Sequence, residues 1–306
     1  MKQYIDIVKK VLDEGTRKQN RTGVDTISTF NVNYEIDLAN GFPLLTTKEV
    51  SWKNIVMENL WFLSGARDIK FLKKHGANFW NAWADENDIV PSSYFMWTKY
   101  PYIKELEYYD ENYENCDHKI FQEEENNQIE FVINELKKNP MSRRLVVSAW
   151  EPNFCQKSSL PACHLMFIFN TQTDKNGELK LNLHLTQRSC DVALGLPYNV
   201  GGYAFVLHLI AHLTKMKVGK FAHSIIDCHI YTKKQDGSME EYDHIPKLLE
   251  QIKREPRPLP ILKIDKKIKT LYNVNKAMEL STDKILKIFK LENYNPHPKI
   301  NFKVAV

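Results

Sequence analysis

Apolar positions recur at helical spacing from the start of the chain: Tyr4, Ile5, Val8, Val11 and Leu12 share a face, and Gly15 ends the run. Residues 24–38, VDTISTFNVNYEIDL, change to the two-residue alternation of a strand. In SWKNIVMENLWFLSG (51–65) apolar residues surround the helix almost completely, which predicts burial. A further helix is predicted over about 127–138, ending at Pro140 and leading into a strand in MSRRLVVSAW.

CHLMFIFN and ELKLNLHLTQ flank DKNG, where Asn176-Gly177 marks a hairpin. Leu179, Leu181, Leu183 and Leu185 alternate with Lys180, Asn182, His184 and Thr186, so one face of that strand belongs to a core. A polar loop, RSCDVALGLPYN, leads into GGYAFVLHLIAHLTKM, a long buried helix. HSIIDCHIYTKK (223–234) reads as a strand, and REPRPLPILKI as a proline-punctuated turn into another. Residues 104–125 break the pattern with nine acidic residues, few aliphatics and no period, which predicts an exposed, partly mobile insertion. There is no internal repeat, Gly/Ser linker or composition break after it, so residues 1–306 are expected to form one mixed α/β domain.

Composition narrows the function classes. The chain has 43% hydrophobic and 26% charged residues, as a soluble globular protein does. No apolar run reaches membrane-spanning length, and MKQYIDIVKKVLDEG is amphipathic rather than a signal peptide. Five cysteines (116, 155, 163, 190 and 228) lack zinc or disulfide spacing, so reduced thiols, a cytoplasmic location and no metal are expected. A net charge of +4 is too small to imply nucleic-acid binding, and suits a small anion only where cations converge.

Candidate chemistry starts at LPACH (160–164). Cys163 is either a nucleophile or a small apolar residue opening a strand. His164 is poorly placed to serve it as a base, because strand neighbours point to opposite faces. Glu58 interrupts the apolar helix; if buried, its raised pKa suits a proton donor or relay. Arg21, Arg143, Arg144 and Arg188 are candidate phosphate forks or surface ion pairs, and Ser189 adds a donor. Asn199 stands where a helix N-cap would, yet its amide also suits a pyrimidine edge, donating to O4 and accepting from N3–H. Asp191 is a polar reader or a turn residue. Trp80 and Trp83 are core aromatics or the wall of an aromatic pocket. His229 and Tyr231 share one strand face, suited to a sugar hydroxyl.

These pieces together resemble the thymidylate synthase family, in DEGTRKQNRTG, FPLLTTK, ENLWFLSG, WADEN, SRRLVVSAW, ACH, QRSCDVALGLPYN, DCHIY, REPRPLP and YNPHPKINFKVAV, in order from MKQY to KVAV. The resemblance implies a large mixed twisted β-sheet covered by helices, with sheets packing in a homodimer. It implies one-carbon transfer from 5,10-methylenetetrahydrofolate to C5 of deoxyuridylate (dUMP), giving thymidylate and dihydrofolate. Cys163 corresponds to the thiol that adds to C6, and Arg188 to the cation favouring its thiolate. Arg21, Arg188 and Ser189 would hold the phosphate, joined by Arg143 and Arg144 from the second subunit. Asn199 would select uracil, His229 and Tyr231 would hold the 3′-hydroxyl, Glu58 would relay protons, and Tyr94 would order the water that removes the C5 proton. Trp80, Trp83, Leu160, Asp191, Leu194 and Tyr198 would line the folate site, with Val306 closing over it.

Departures from the family pattern cluster near the folate: Ala162 for proline, Ile168 for glutamine, Tyr198 for phenylalanine, Gly201-Gly202 for Ala-Ser, and a glycine-free PSSYFMWTKYP around Tyr94. A sister reaction, hydroxymethylation of dUMP, lets water attack the shared intermediate and releases tetrahydrofolate; the Tyr198 hydroxyl is a candidate to order that water. Asn199 argues against a cytosine substrate, for which aspartate is usual. A catalytically silent homologue is the third reading, opposed by Cys163, Glu58 and Asn199.

Overall fold

The computed structural model describes residues 1–20, 22–107 and 119–305. Eight of its strands need naming to locate the site. β1 (Thr16–Lys18), β2 (Asp25–Asp37), β5 (Val146–Ser148), β6 (His164–Thr173), β7 (Leu179–Asp191) and β8 (Lys217–Thr232) form a six-stranded sheet in the order β1-β2-β8-β7-β6-β5. β3 (Tyr100–Glu107) and β4 (Lys119–Asn126) form a separate two-stranded ribbon. A last pair joins Ile261–Ile264 to Phe289–Glu292.

Every neighbouring pair in the large sheet is antiparallel except β7 and β8. That parallel pair follows from the long helix between them, Gly195–Thr214, since parallel strands need a crossover. The hairpin signal at Asn176-Gly177 joins β6 to β7, with Gly177 at a φ of 78° and Asp174 Oδ1 accepting from the Asn176 and Glu178 amides.

The apolar helix Trp52–Ser64 is buried as its pattern predicts. The Ser51 side chain caps its start, and Gly65, in the left-handed region at φ 65°, ends it. It packs closely on Gly195–Thr214: a Cβ at Gly201 would meet Ile55 Cδ1 at 2.7 Å, and one at Gly202 would meet Asn59 Nδ2 at 2.8 Å. The Gly201-Gly202 pair therefore lies under the helix carrying Glu58.

Two expectations shift. β7 runs on through Ser189–Asp191, where a loop is predicted, and the following helix starts at Gly195. Asn199 thus sits inside the helix and does not cap it. Second, the flanks of the acidic insertion are exposed where described and form strands: Tyr100 pairs with Asn126 and Glu105 with Phe121. Its strands escape pattern reading because neither face is buried; Ile103 and Phe121 are exposed like their polar neighbours. Residues 108–118 lie outside the described residues, and with them the expectation that the insertion is mobile.

The core lies between the sheet and the two apolar helices. Phe205 is fully buried there, edge-on to Trp52 and Phe289 at 5.8 and 5.2 Å. Phe205→Ala should lower unfolding free energy by about 3–5 kcal/mol in chemical denaturation. A loss below about 1 kcal/mol would show that the aromatic contacts there are dispensable.

Candidate active site

The ends of four strands meet at one edge of the large sheet. β6 begins there at His164, β7 and β8 finish there, and β2 starts there, with Asp25 opposite Thr232. Register brings His164 opposite Gln187, Ser189 opposite Asp227 and Asp191 opposite His229. The predicted residues at positions 160–164, 188–199 and 229–231 are therefore brought to one place.

Cys163, half-buried, precedes β6 and is held at both backbone groups. Its N–H donates to Tyr94 Oη at 3.1 Å, and its carbonyl accepts from the Arg188 N–H at 2.9 Å. The Arg188 guanidinium donates from Nε to the Ala162 carbonyl at 3.0 Å and from Nη2 to the Pro161 carbonyl at 2.8 Å. The cation thus clamps the two peptide groups immediately before the thiol, and Nη1 remains for another ligand.

Tyr94 is buried in an aromatic cluster, with Phe62 at 4.5 Å, His164 at 5.2 Å and Trp80 at 6.0 Å. Burial pushes its phenol far above the usual range, so it stays protonated. His164 is wedged between Tyr94 and Tyr203, and burial pushes its pKa down to about 3, with Asn199 opposing the shift. So weak a base cannot activate Cys163.

Glu58, half-buried on the helix Trp52–Ser64, accepts from Trp80 Nε1 at 2.9 Å. Burial pushes its pKa up to about 7, against the indole hydrogen bond that lowers it. Trp80 in turn meets Trp83 edge-on at 5.8 Å.

Asn199 points its Oδ1 at Gln187, accepting from Nε2 at 3.0 Å. Asp191 is the turn residue it was read as in one alternative: Oδ1 accepts from the Ala193 and Leu194 amides at 2.8 and 3.3 Å. His229 Nδ1 faces the Asp227 carbonyl at 3.3 Å and must donate to it, which leaves Nε2 for another partner. Tyr231 lies edge-on to His229 at 5.2 Å. Leu160, Leu194, Trp83 and Tyr198 are half-buried against the core. The Tyr198 hydroxyl lies near Ser51 and Asn54, with the Glu58 carboxyl also in its surroundings.

Arg143 and Arg144 are exposed just before β5, at the sheet's edge, away from this cluster in sequence and strand order. Arg21 and Val306 lie outside the described residues. The tail before Val306 is docked: His244 Nε2 faces the Lys303 carbonyl at 2.9 Å, and Phe302 packs between His244 and Lys48.

A comparison with protein families matches residues 2–306 to the thymidylate synthase family. The chain belongs to that family. Membership supports an enzyme of this class, with folate-dependent one-carbon transfer to dUMP or a related reaction. No helix among the described residues is long and apolar enough to cross a membrane. The site residues suit the folate on physical grounds: the Trp80–Trp83 wall fits a planar heterocycle, and Asp191 Oδ2 is left to accept from it.

Several residues of this site escaped sequence reasoning. Lys48, buried, donates from Nζ to the Ala193 carbonyl at 2.6 Å and has its pKa lowered to about 8 by burial. Gln187 and His223 are buried on the core side of β7 and β8, following Leu185 and Phe221 by two residues. Their signal was legible: each is a polar residue where the alternation calls for an apolar one.

Glu58 should titrate near pH 7 when followed by carboxyl-labelled NMR. Trp80→Phe should raise that value further, since the indole hydrogen bond favours the carboxylate. The sign for stability follows: a carboxyl raised in the folded state holds its proton longer than the unfolded chain. Its contribution therefore falls as pH rises from the unfolded carboxyl range, about 4.3, towards 7, and Glu58→Gln should flatten that part of the profile. A Glu58 titration in the ordinary carboxylate range would contradict its burial.

Proposed function

We propose that the chain is a thymidylate synthase, converting dUMP and 5,10-methylenetetrahydrofolate to thymidylate and dihydrofolate. The observation that supports this reading is the grouping of a half-buried thiol, a guanidinium and the Asn199 amide at one sheet end, with the neutral-range carboxyl of Glu58 on the neighbouring helix and Tyr94 near both it and the thiol. Cys163 attacks C6 of the uracil ring as the thiolate. The C5–C6 π electrons move towards O4, and C5 becomes nucleophilic. Asn199 selects the ring, donating to O4 and accepting from N3–H. Arg188 Nη1, with Arg21 and Ser189, holds the phosphate, and His229 Nε2 accepts from the 3′-hydroxyl, which Tyr231 shares.

The folate, lying on Trp80 and Trp83 beside Leu160, Asp191, Leu194 and Tyr198, supplies the one-carbon unit and then the hydride. Glu58 exchanges protons with folate and ring, poised for both directions by a pKa of about 7. The buried Tyr94 phenol orients the water that accepts the C5 proton. Once that proton is gone, expulsion of the folate amine and hydride delivery to the exocyclic carbon release Cys163. Val306 completes the closure begun by the docked tail. The described cysteines form no disulfide with one another, which fits a reducing, cytoplasmic setting.

Hydride, rather than water, is favoured as the last reactant by the surroundings of Tyr198. Its half-buried ring packs against the core with the hydroxyl near Ser51 and Asn54, at the start of the Trp52–Ser64 helix, a placement that favours packing over the ordering of a water on the ring. Incubation with dUMP and methylenetetrahydrofolate should yield thymidylate by mass spectrometry and dihydrofolate by absorbance. A product heavier by one oxygen atom, with tetrahydrofolate, would identify the hydroxymethylase instead.

The active form is a homodimer, supported by the sheet face turned away from the helices. Val146, Met166 and Ile226 are 37–38% exposed on it, and Phe30 on the adjoining strand is 78% exposed. Stacking two such faces buries them and lets the exposed Arg143 and Arg144 reach a neighbour's phosphate. Neither arginine has a carboxylate ion-pair partner among the described residues. Cys163→Ser and Arg143→Ala homodimers should each be severely impaired, while mixed dimers regain activity from the one site with both native groups. Verified mixed dimers without recovery would exclude the shared clamp.

A further inference from the structure

A chain of polar side chains, buried at its two central members, runs from the middle of β2 to Asn199. Tyr34 Oη lies 2.8 Å from His223 Nδ1, His223 Nε2 lies 2.9 Å from Gln187 Oε1, and Gln187 Nε2 lies 3.0 Å from Asn199 Oδ1. Gln187 and His223 are 2% and 1% exposed, so water does not share their bonds.

The direction of every bond follows from one fixed point. Gln187 Nε2 also lies 2.9 Å from the Ser189 carbonyl, which can only accept. The Gln187 amide nitrogen therefore donates to Ser189 and, with its second hydrogen, to Asn199 Oδ1. Gln187 Oε1 must then accept from His223 Nε2–H. Burial holds the His223 imidazole well below its ordinary pKa, so the ring is neutral and carries a single N–H. With that hydrogen on Nε2, Nδ1 accepts from the Tyr34 hydroxyl. No member has a choice of orientation.

We propose that Tyr34, His223 and Gln187 are positioning residues that fix the Asn199 amide in the orientation that reads uracil and rejects cytosine. This rests on the reading of Asn199 as the pyrimidine contact. Uracil offers an acceptor at O4 and a donor at N3; cytosine offers a donor at N4 and an acceptor at N3. Asn199 with Oδ1 anchored by Gln187 presents Nδ2 to O4 and the second Oδ1 lone pair to N3–H. A rotated amide would suit cytosine equally well. It would also set Asn199 Nδ2 against Gln187 Nε2, donor to donor in a buried site, and the relay thereby excludes it.

The test measures dUMP and dCMP affinity by calorimetry, and kcat and KM with dUMP, for the full-length enzyme and four variants. Asn199→Ala should lose most of the preference for dUMP. His223→Leu removes the donor to Gln187 and should reduce the dUMP-over-dCMP affinity ratio about tenfold, the scale of one buried hydrogen bond. His223→Gln can donate from Nε2 and accept from Tyr34 at Oε1, and should stay within about threefold of the native ratio. Tyr34→Phe should lower the ratio about threefold, with KM for dUMP rising more than kcat falls. A packing role alone predicts the reverse order, the apolar Leu being better tolerated in the core than Gln. An unchanged ratio in Asn199→Ala would overturn the reading of Asn199, leaving the relay nothing to orient. A lost ratio in Asn199→Ala, with native ratios in His223→Leu and Tyr34→Phe, would overturn the relay alone. Should His223→Leu not fold, an unchanged ratio in Tyr34→Phe suffices to overturn it.

Discussion

β7 is paired on both sides, antiparallel to β6 and parallel to β8, and its register determines how the candidate residues of β6, β7 and β8 stand to one another. Gln187 opposite His164 places the Arg188 N–H on the Cys163 carbonyl, and Asp191 opposite His229 joins the two strand ends at the ligand edge. Since strand side chains alternate, a slip by one residue would send Gln187 to the open face and Arg188 into the core. The Leu181, Leu183 and Leu185 series prevents that slip, because moving it would expose three buried leucines. The hydrophobic pattern of one strand thus enforces the geometry of the site.

Around that strand the molecule keeps its charges few and directed. Arg188 spends two donors on the Pro161 and Ala162 carbonyls, which orders the peptide before Cys163 while holding positive charge beside it. Lys48 does similar work for the opposite side of the site, fastening Ala193 and lying over the Phe302 ring of the docked tail. Glu58 differs: it faces only an indole, and its burial leaves the proton nearly balanced at neutral pH. Fixed cations hold backbone carbonyls in place, and Glu58 is left able to exchange its proton.

The sheet serves two surfaces at once. Its core face packs against the helices and carries the Tyr34–His223–Gln187 chain, so the Asn199 amide is set from inside the fold. Its other face leaves Val146, Met166 and Ile226 partly uncovered and carries His184 bonded to Ser224 at 2.9 Å. In the proposed function, base selection and subunit pairing belong to opposite sides of the same strands. A substitution on β7 or β8 affects one or the other according to its parity along the strand.

The sequence alone was enough for the helices at 51–65 and 127–138, the β6–β7 hairpin, the mixed α/β class and the family, because periodicity, caps and Asn-Gly turns are local and the family's motifs recur in order. It also singled out Cys163, Glu58, Arg188 and Asn199 as the residues that carry chemistry. It misjudged the β7 end and the start of the following helix, since Ser189–Asp191 pair as strand through β8 rather than by their own preference. It missed the β3–β4 ribbon, which buries no face and so prints no alternation. Only the tertiary structure decided which way the Asn199 amide faces, that His164 is too desolvated to be a base, and which carbonyls Arg188 holds. Each depends on groups far apart in the chain, such as Tyr34 and His223, whose proximity is created by strand pairing and is not encoded in any local pattern.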